Sequence, residues 1–378
     1  MELFEFSEQW NTGYFIGMML IAFIETALIK KAIKCRDNRK TKGYRNWLAL
    51  AFVLLVFFET FRTIDTGTDT VDYVGFFQHA VRYGYKYLMR YKWEPLFTIY
   101  VFLISRISNI YNILFFINGT IGTYAFLKYV TNQFKQNSTY MFLPLFILNY
   151  SYNLSSMRSS LGTAFLLLSI VEFEKEKNAK AIIYSIMATM FHYSFIFQVC
   201  FIIYQIYLRS QIRRVSGTRL ILFSLMMFGI TYSSTHFLQR VFINTKYVEY
   251  TRKMGTGWLG QWNIILAGII SLYIIMKRRG SVDASSEVWN TDEILNIMNV
   301  AFLPYYVRLN VYRVPTYYLL CRIATYSRFS DMIRKSQSSS GKWMLKIIEF
   351  SLTVFGMLFY ASRLRTGMDY TFIWNAAK

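Results

Sequence analysis

Hydrophobic positions run along this chain in long blocks, broken by short clusters of lysine and arginine rather than by glycine- or proline-rich linkers. Many of these blocks are long enough to cross a bilayer core, which takes about 20 apolar residues as a helix. The pattern predicts an all-α polytopic integral membrane protein, a single transmembrane domain over 1–378. Two stretches break the rule of full-length blocks. Glu94 to Ser108 is too short for a crossing and predicts a half-penetrating helix before a full span at 109–128. The runs 181–191 and 193–208 are short on either side of His192, Tyr193 and Ser194. Broken helices are tolerated at membrane depth only where they border protein or a cavity, so both stretches hint at a site.

The basic clusters set the orientation. Lys30 to Arg45 carries eight basic residues against one acidic residue. Excess lysine and arginine marks cytoplasmic loops. Clusters at 174–180, 209–219, 277–280 and 328–346 are placed inside by the same rule. Threading the blocks between them gives roughly twelve crossings. Both termini then lie outside, and short or re-entrant helices surround a cavity open to the extracytoplasmic side. The start, MELFEFSEQW, is acidic where a cleavable leader is basic, so the first block is expected to remain as a span. Two extracytoplasmic loops follow, one over 62–94 and one over 237–261.

The first of these loops is dense in charge: Arg62, Asp65, Asp69 and Asp72 lie within eleven residues. From Thr70 to Lys92 an amphipathic helix is predicted, with Val74, Phe77, Val81, Tyr85 and Leu88 as its apolar stripe. Arg82, Lys86 and Arg90 recur every four residues on another face. Such a helix lies in the membrane interface. Its cations serve either an anionic substrate or ordinary lipid headgroups, to which long basic side chains snorkel. Glu94, Arg158, His192, Arg308 and Arg313 fall on the same outer side, as do Arg240, Lys246, Arg252 and Lys253 beside a lone Glu249. A single arginine at a span end anchors to headgroups more often than it binds a ligand, and a histidine at a helix break is usually a structural hydrogen-bonder. The convergence of carboxylates, arginines and a histidine on one side, against the positive-inside rule, points to an anion held there.

Composition changes the picture little. The 378 residues are 54% hydrophobic and 19% aromatic, with a net charge of +21. That charge sits in loops between spans, so nucleic acid is not expected as a partner. Cys35, Cys200 and Cys321 have neither metal-ligand nor disulfide spacing. No Walker, HExxH or serine-elbow motif occurs. The chemistry these charges suit is transfer from a lipid diphosphate: arginine gives fixed bidentate contacts to the leaving group, and a carboxylate takes the proton of an acceptor hydroxyl.

The spacing of Arg62, Gly67, Thr68, Asp69, Thr70 and Tyr73, followed by Glu94-Pro95-Leu96-Phe97, resembles the EpsG/Wzy-type exopolysaccharide polymerase family. Further along, Arg158 in a span-to-span turn, Phe191-His192-Tyr193-Ser194, and Arg313 followed by Tyr317-Tyr318 keep the family's order. Two departures stand out: Arg158 precedes Ser159 where the family usually has Gln, and the C-terminal match is loose. The resemblance implies a multi-pass protein of the bacterial cytoplasmic membrane that polymerises undecaprenyl-diphosphate-linked oligosaccharide units at the outer face. It implies Arg62, Arg158 and Arg313 on the diphosphate, and Asp69 or Glu94 as catalytic base. Asp65, Asp72, Tyr73 and His192 would position sugar hydroxyls. A flippase and a chain-length regulator are implied partners, and no cofactor or metal is expected. Three alternatives stay open on the residues alone. A metal-dependent lipid-linked-sugar glycosyltransferase would hold a divalent cation on Asp65 and Asp69. A polysaccharide acyltransferase would use a histidine base. A non-enzymatic flippase would need charges lining a path through the membrane.

Overall fold

The computed structural model describes residues 12–62, 69–135, 156–210, 217–243, 258–279, 290–308 and 317–336, with parts of 138–147 and 341–354. Among these residues every regular element is helical. The chain divides into two compact units. One comprises Met1–Val171, Ile183–Ile196 and Arg334–Lys378; the other comprises Glu172–Ile182 and Phe197–Ile333.

The first unit opens with α1 (Thr12–Asp37) and α2 (Thr41–Thr60), joined by a tight turn in which Arg39 takes a left-handed conformation. Small residues let the helices approach: a Cβ on Gly43 would come within 2.9 Å of Cys35 Sγ. The chain then forms α3 (Thr70–Tyr83), α4 (Tyr85–Leu88) and a 3-10 turn, Met89–Tyr91. After these come α5 (Pro95–Ile107) and α6 (Asn112–Gln133). Polar side chains tie helix ends to backbone carbonyls: Asn112 Nδ2 donates to Thr60 O at 2.9 Å, Arg106 Nη2 to Ala80 O at 2.6 Å, and Arg36 Nη2 to Phe134 O at 2.9 Å.

The helix expected over Thr70 to Lys92 is not continuous. Gly84, at φ +75°, ends α3 and turns the chain into α4. That region of backbone space is open to glycine without penalty. The expected stripe otherwise behaves as predicted. Val74, Phe77 and Leu88 are buried and Val81 packs against them, while Arg82, Lys86 and Arg90 are exposed. Tyr85 alone leaves the stripe, because the turn at Gly84 re-aims it to a partly exposed place against Phe102.

α5 is the short helix predicted from Glu94 to Ser108, and Pro95 explains its start. Proline at the first helical position has no N–H to lose, and it holds Glu94 in an extended conformation just before the helix. α6 matches the expected span at 109–128 and runs somewhat longer. Among the described residues α6 is the one helix both long and apolar enough to cross a membrane by those measures. Threading of the sequence gives about twelve crossings, of which α6 is the one candidate by length and apolarity among the described residues.

α7 (Met157–Glu174) and α8 (Asn178–Phe191) precede the second expected break. His192 is extended there, followed by a 3-10 turn at Tyr193–Phe195 and by α9 (Ile196–Ser210). The His192 Nδ1 accepts a hydrogen bond from the Ser194 backbone N–H at 3.3 Å, closing the break locally.

The second unit contains α10 (Gly217–Ile243), α11 (Trp258–Arg279), α12 (Thr291–Ala301) and α13 (Leu303–Arg308), and α14 (Leu319–Ser336) as far as Ile333. The predicted loop over 237–261 is narrower than expected, since α10 continues to Ile243 and α11 begins at Trp258; the residues between lie outside those described. α12 starts in a capping box between Asn290 and Glu293. Its buried Asp292 takes both Nη groups of Arg328 at 3.1 Å. Glu293 takes Arg328 Nε at 3.2 Å and Arg278 Nη1 at 2.9 Å. Buried carboxylates stay ionised only when paired in this way.

Candidate functional site

The apolar core of the first unit gathers α3, α5, α6, α7 and the end of α8 around Phe76, Phe77, Phe97, Phe115, Leu161 and Phe191. At one edge of that core sits an ion pair. Arg158 Nη1 donates to Glu94 Oε2 at 2.8 Å, linking the head of α5 to the head of α7. Glu94 is only 5% exposed, so this carboxylate is largely removed from solvent and depends on the guanidinium.

Aromatic rings surround the pair. The guanidinium carbon of Arg158 lies 4.8 Å from the Trp93 ring centre and 6.0 Å from that of Tyr73. Arg158 Nε donates to the Tyr73 hydroxyl at 3.4 Å, and that hydroxyl shares a second contact with Ser156 Oγ at 3.4 Å. Trp93 and Phe97 each stand 5.6 Å from Tyr73, and Phe76 stands 4.1 Å from Trp93. The arginine is thus held by charge, by hydrogen bonds and by ring faces at once. A guanidinium has five N–H donors, and these contacts use two, which leaves others for an incoming anion.

The remaining predicted residues divide. Arg62 is buried at 3% exposure with its guanidinium 4.6 Å from the Phe115 ring, so it adjoins the same apolar core. His192 follows Phe191, another member of that core, and meets Phe195 edge-on at 6.1 Å. Asp69 stands half-buried immediately before α3, its carbonyl accepting the Tyr73 N–H at 3.3 Å. Asp72 is exposed in the first turn of α3, where a negative charge suits the helix dipole. Asp65 and Arg313 lie outside the described residues. The structure therefore brings Tyr73, Glu94 and Arg158 into one contact set, sets Arg62 on the core ring of Phe115 and leaves His192 with local contacts to Ser194 and Phe195. Among the described residues no group of three or more His, Cys, Asp or Glu side chains gathers into a cation site.

Several residues of the site go beyond the predicted set. Trp93 is the floor under Arg158 and Ser156 extends the hydrogen-bond chain. Trp93 was within reach of the sequence, since it directly precedes the Glu94-Pro95 helix start; Ser156 carries no such signal. Glu59 is a further buried carboxylate, packed where a Cβ on Gly119 would overlap it.

Among the described residues the elements are all helical, one helix is long and apolar enough to cross a membrane, and a carboxylate–guanidinium pair lies among aromatic rings. The chain belongs to the EpsG family, whose match extends over residues 45–372. It is thereby a membrane protein of polysaccharide biosynthesis, in a family associated with glycosyltransferase-like polymerase activity. No curated protein and no solved structure matches it.

Proposed function

We propose that this protein polymerises lipid-linked oligosaccharide repeat units, transferring the growing glycan from undecaprenyl diphosphate to the next lipid-linked unit at the outer face of a bacterial cytoplasmic membrane. The observation that carries the reading is the Glu94–Arg158 pair at 2.8 Å, because it joins the two functions the reaction needs. An acceptor hydroxyl oxygen attacks the anomeric carbon, and the bond from that carbon to the diphosphate oxygen breaks. The bonding electrons leave on the diphosphate, and the hydroxyl proton passes to a carboxylate. Arg158 contacts the leaving diphosphate with its remaining donors, and Arg62 and Arg313 add positive charge. Glu94 or Asp69 takes the proton. Tyr73, Asp65, Asp72 and His192 position sugar hydroxyls. The energy comes from breaking the bond between the anomeric carbon and the diphosphate oxygen, so nucleotide hydrolysis has no part in the step.

The test is a strain from which the gene is deleted, complemented in turn with wild type, Glu94→Gln and Asp69→Asn. The deletion is expected to accumulate a single unpolymerised repeat unit on the lipid, and wild type to restore polymer. Loss of a catalytic base lowers the rate by roughly a hundred- to ten-thousand-fold, so one of the two variants should behave as the deletion at equal protein level. Polymer in the deletion strain overturns the reading. Normal polymer from both variants removes these carboxylates from the reaction.

A further inference from the structure

An unbroken series of rings leads away from the ion pair along the hairpin that α3 makes with α4 and the 3-10 turn. Trp93, beneath Arg158, stands 5.7 Å from Tyr91; Tyr91 stands 6.2 Å from Tyr87, and Tyr87 stands 4.6 Å from Tyr83. His79 fills the angle of the hairpin. Its ring centre lies 5.7 Å from Tyr83, 5.3 Å from Tyr87 and 5.8 Å from Tyr91, and its Nδ1 hydrogen-bonds the Tyr91 hydroxyl. Arg90 lies 5.2 Å from the Tyr87 ring centre and Arg82 lies 5.9 Å from that of Tyr83. The series begins half-buried at Trp93 and ends exposed, with Tyr83 at 51%.

We propose that this tyrosine track is a glycan-binding subsite, which holds the sugars of the substrate chain that lie beyond the reacting residue. The proposal rests on the polymerase reading. A pyranose ring has an apolar C–H face and a rim of hydroxyls. A ring track edged by phenols, an imidazole and guanidiniums offers both a stacking surface and hydrogen-bond partners at successive steps. The steps between rings are comparable to the spacing of successive sugars in a glycan. Continuity with Trp93 identifies the occupant, because a chain bonded to the carbon reacting beside Glu94 and Arg158 has to leave along some surface joined to that pair. A track that served only as a membrane anchor would have no need to reach the ion pair. Tyrosine suits the task because it gives large contact area with few rotatable bonds to immobilise.

Full-length protein in nanodiscs is assayed for binding of lipid-free oligosaccharides cut from the native strain's own polymer, alongside the chain-length distribution in cells. Tyr83→Ala/Tyr87→Ala is expected to weaken oligosaccharide binding about tenfold, the loss of two stacking contacts. It should shift the polymer to shorter chains while the lipid-linked unit is still consumed. Tyr83→Phe/Tyr87→Phe, which keeps the rings, should retain most of the binding. Unchanged binding and chain length in the alanine variant overturn the subsite and leave the rings as interfacial anchors. Complete loss of polymer at normal protein level also overturns it, since the track would then belong to the reaction centre. Should the double variant fail to accumulate, Tyr83→Ala alone decides, its half-exposed ring being dispensable to the core. The deletion strain tests the polymerase reading separately, and binding in nanodiscs reads the track whichever way that test falls.

Discussion

Arg158 is held by three neighbours of different chemistry: the Glu94 carboxylate, the Tyr73 hydroxyl and the Trp93 ring. A planar fork satisfies all three, whereas an ammonium concentrates its charge at one point on a flexible stem. Arg158→Lys should therefore fail despite keeping the charge, with unpolymerised lipid-linked unit building up in the cell. Arg45→Lys, on an exposed residue at the start of α2, serves as the control and should make polymer normally. Near-normal polymer in both strains would reduce Arg158 to a headgroup anchor. The participants were legible in the sequence as single letters, but the bond was not. Glu94 and Arg158 are 64 positions apart, and no periodicity links residues on separate helices. Asp292 and Glu293 show the opposite failure. The stretch 281–290 reads as a cytoplasmic connector, and nothing in it announces that the carboxylates just beyond, opening α12, are buried and bonded to Arg278 and Arg328. The Asn290–Glu293 spacing of a capping box was the available signal.

At the level of elements, punctuation was easier to read than length. Pro95 fixes the start of α5 and the Phe191–Ser194 stretch fixes the break before α9, because both act through local backbone geometry. Gly84 escaped notice because apolar positions keep helical spacing on both sides of it, and spacing says nothing of φ. Packing of α2 against α6 depends on Gly119, where a Cβ would overlap the Glu59 carboxylate and lie 2.9 Å from Glu59 Cβ. Gly119→Ala should destabilise the first unit by roughly 1–3 kcal/mol, the usual effect of overpacking. Gly75, inside α3, has nothing within 4 Å of a Cβ. Gly75→Ala should be neutral or stabilising by about 0.5–1 kcal/mol, since alanine lowers the entropy of the unfolded chain. Thermal unfolding in one detergent checks both; equal midpoints for the two variants would refute the packing argument.

For the whole molecule, the charge pattern makes the clearest demand. A net charge of +21 is distributed so that the α1–α2 turn is basic and the α3 region carries the acids. In a chain freed of Cys35, Cys200 and Cys321, a cysteine replacing exposed Val71 should react with a membrane-impermeant thiol reagent added to intact cells. One replacing exposed Lys40 should react only after the cells are opened. The reverse pattern would put the ion pair on the cytoplasmic side and exclude an extracytoplasmic polymerase.

The 64-residue separation also has a meaning in time. Translation proceeds at about 5–20 residues per second, so Glu94 leaves the ribosome on the order of several seconds before Arg158. During that interval its carboxylate lacks the Arg158 guanidinium, while α5 and α6 are already synthesised. A nascent chain stalled before Met157 would therefore hold Glu94 without the partner that it has in the finished protein.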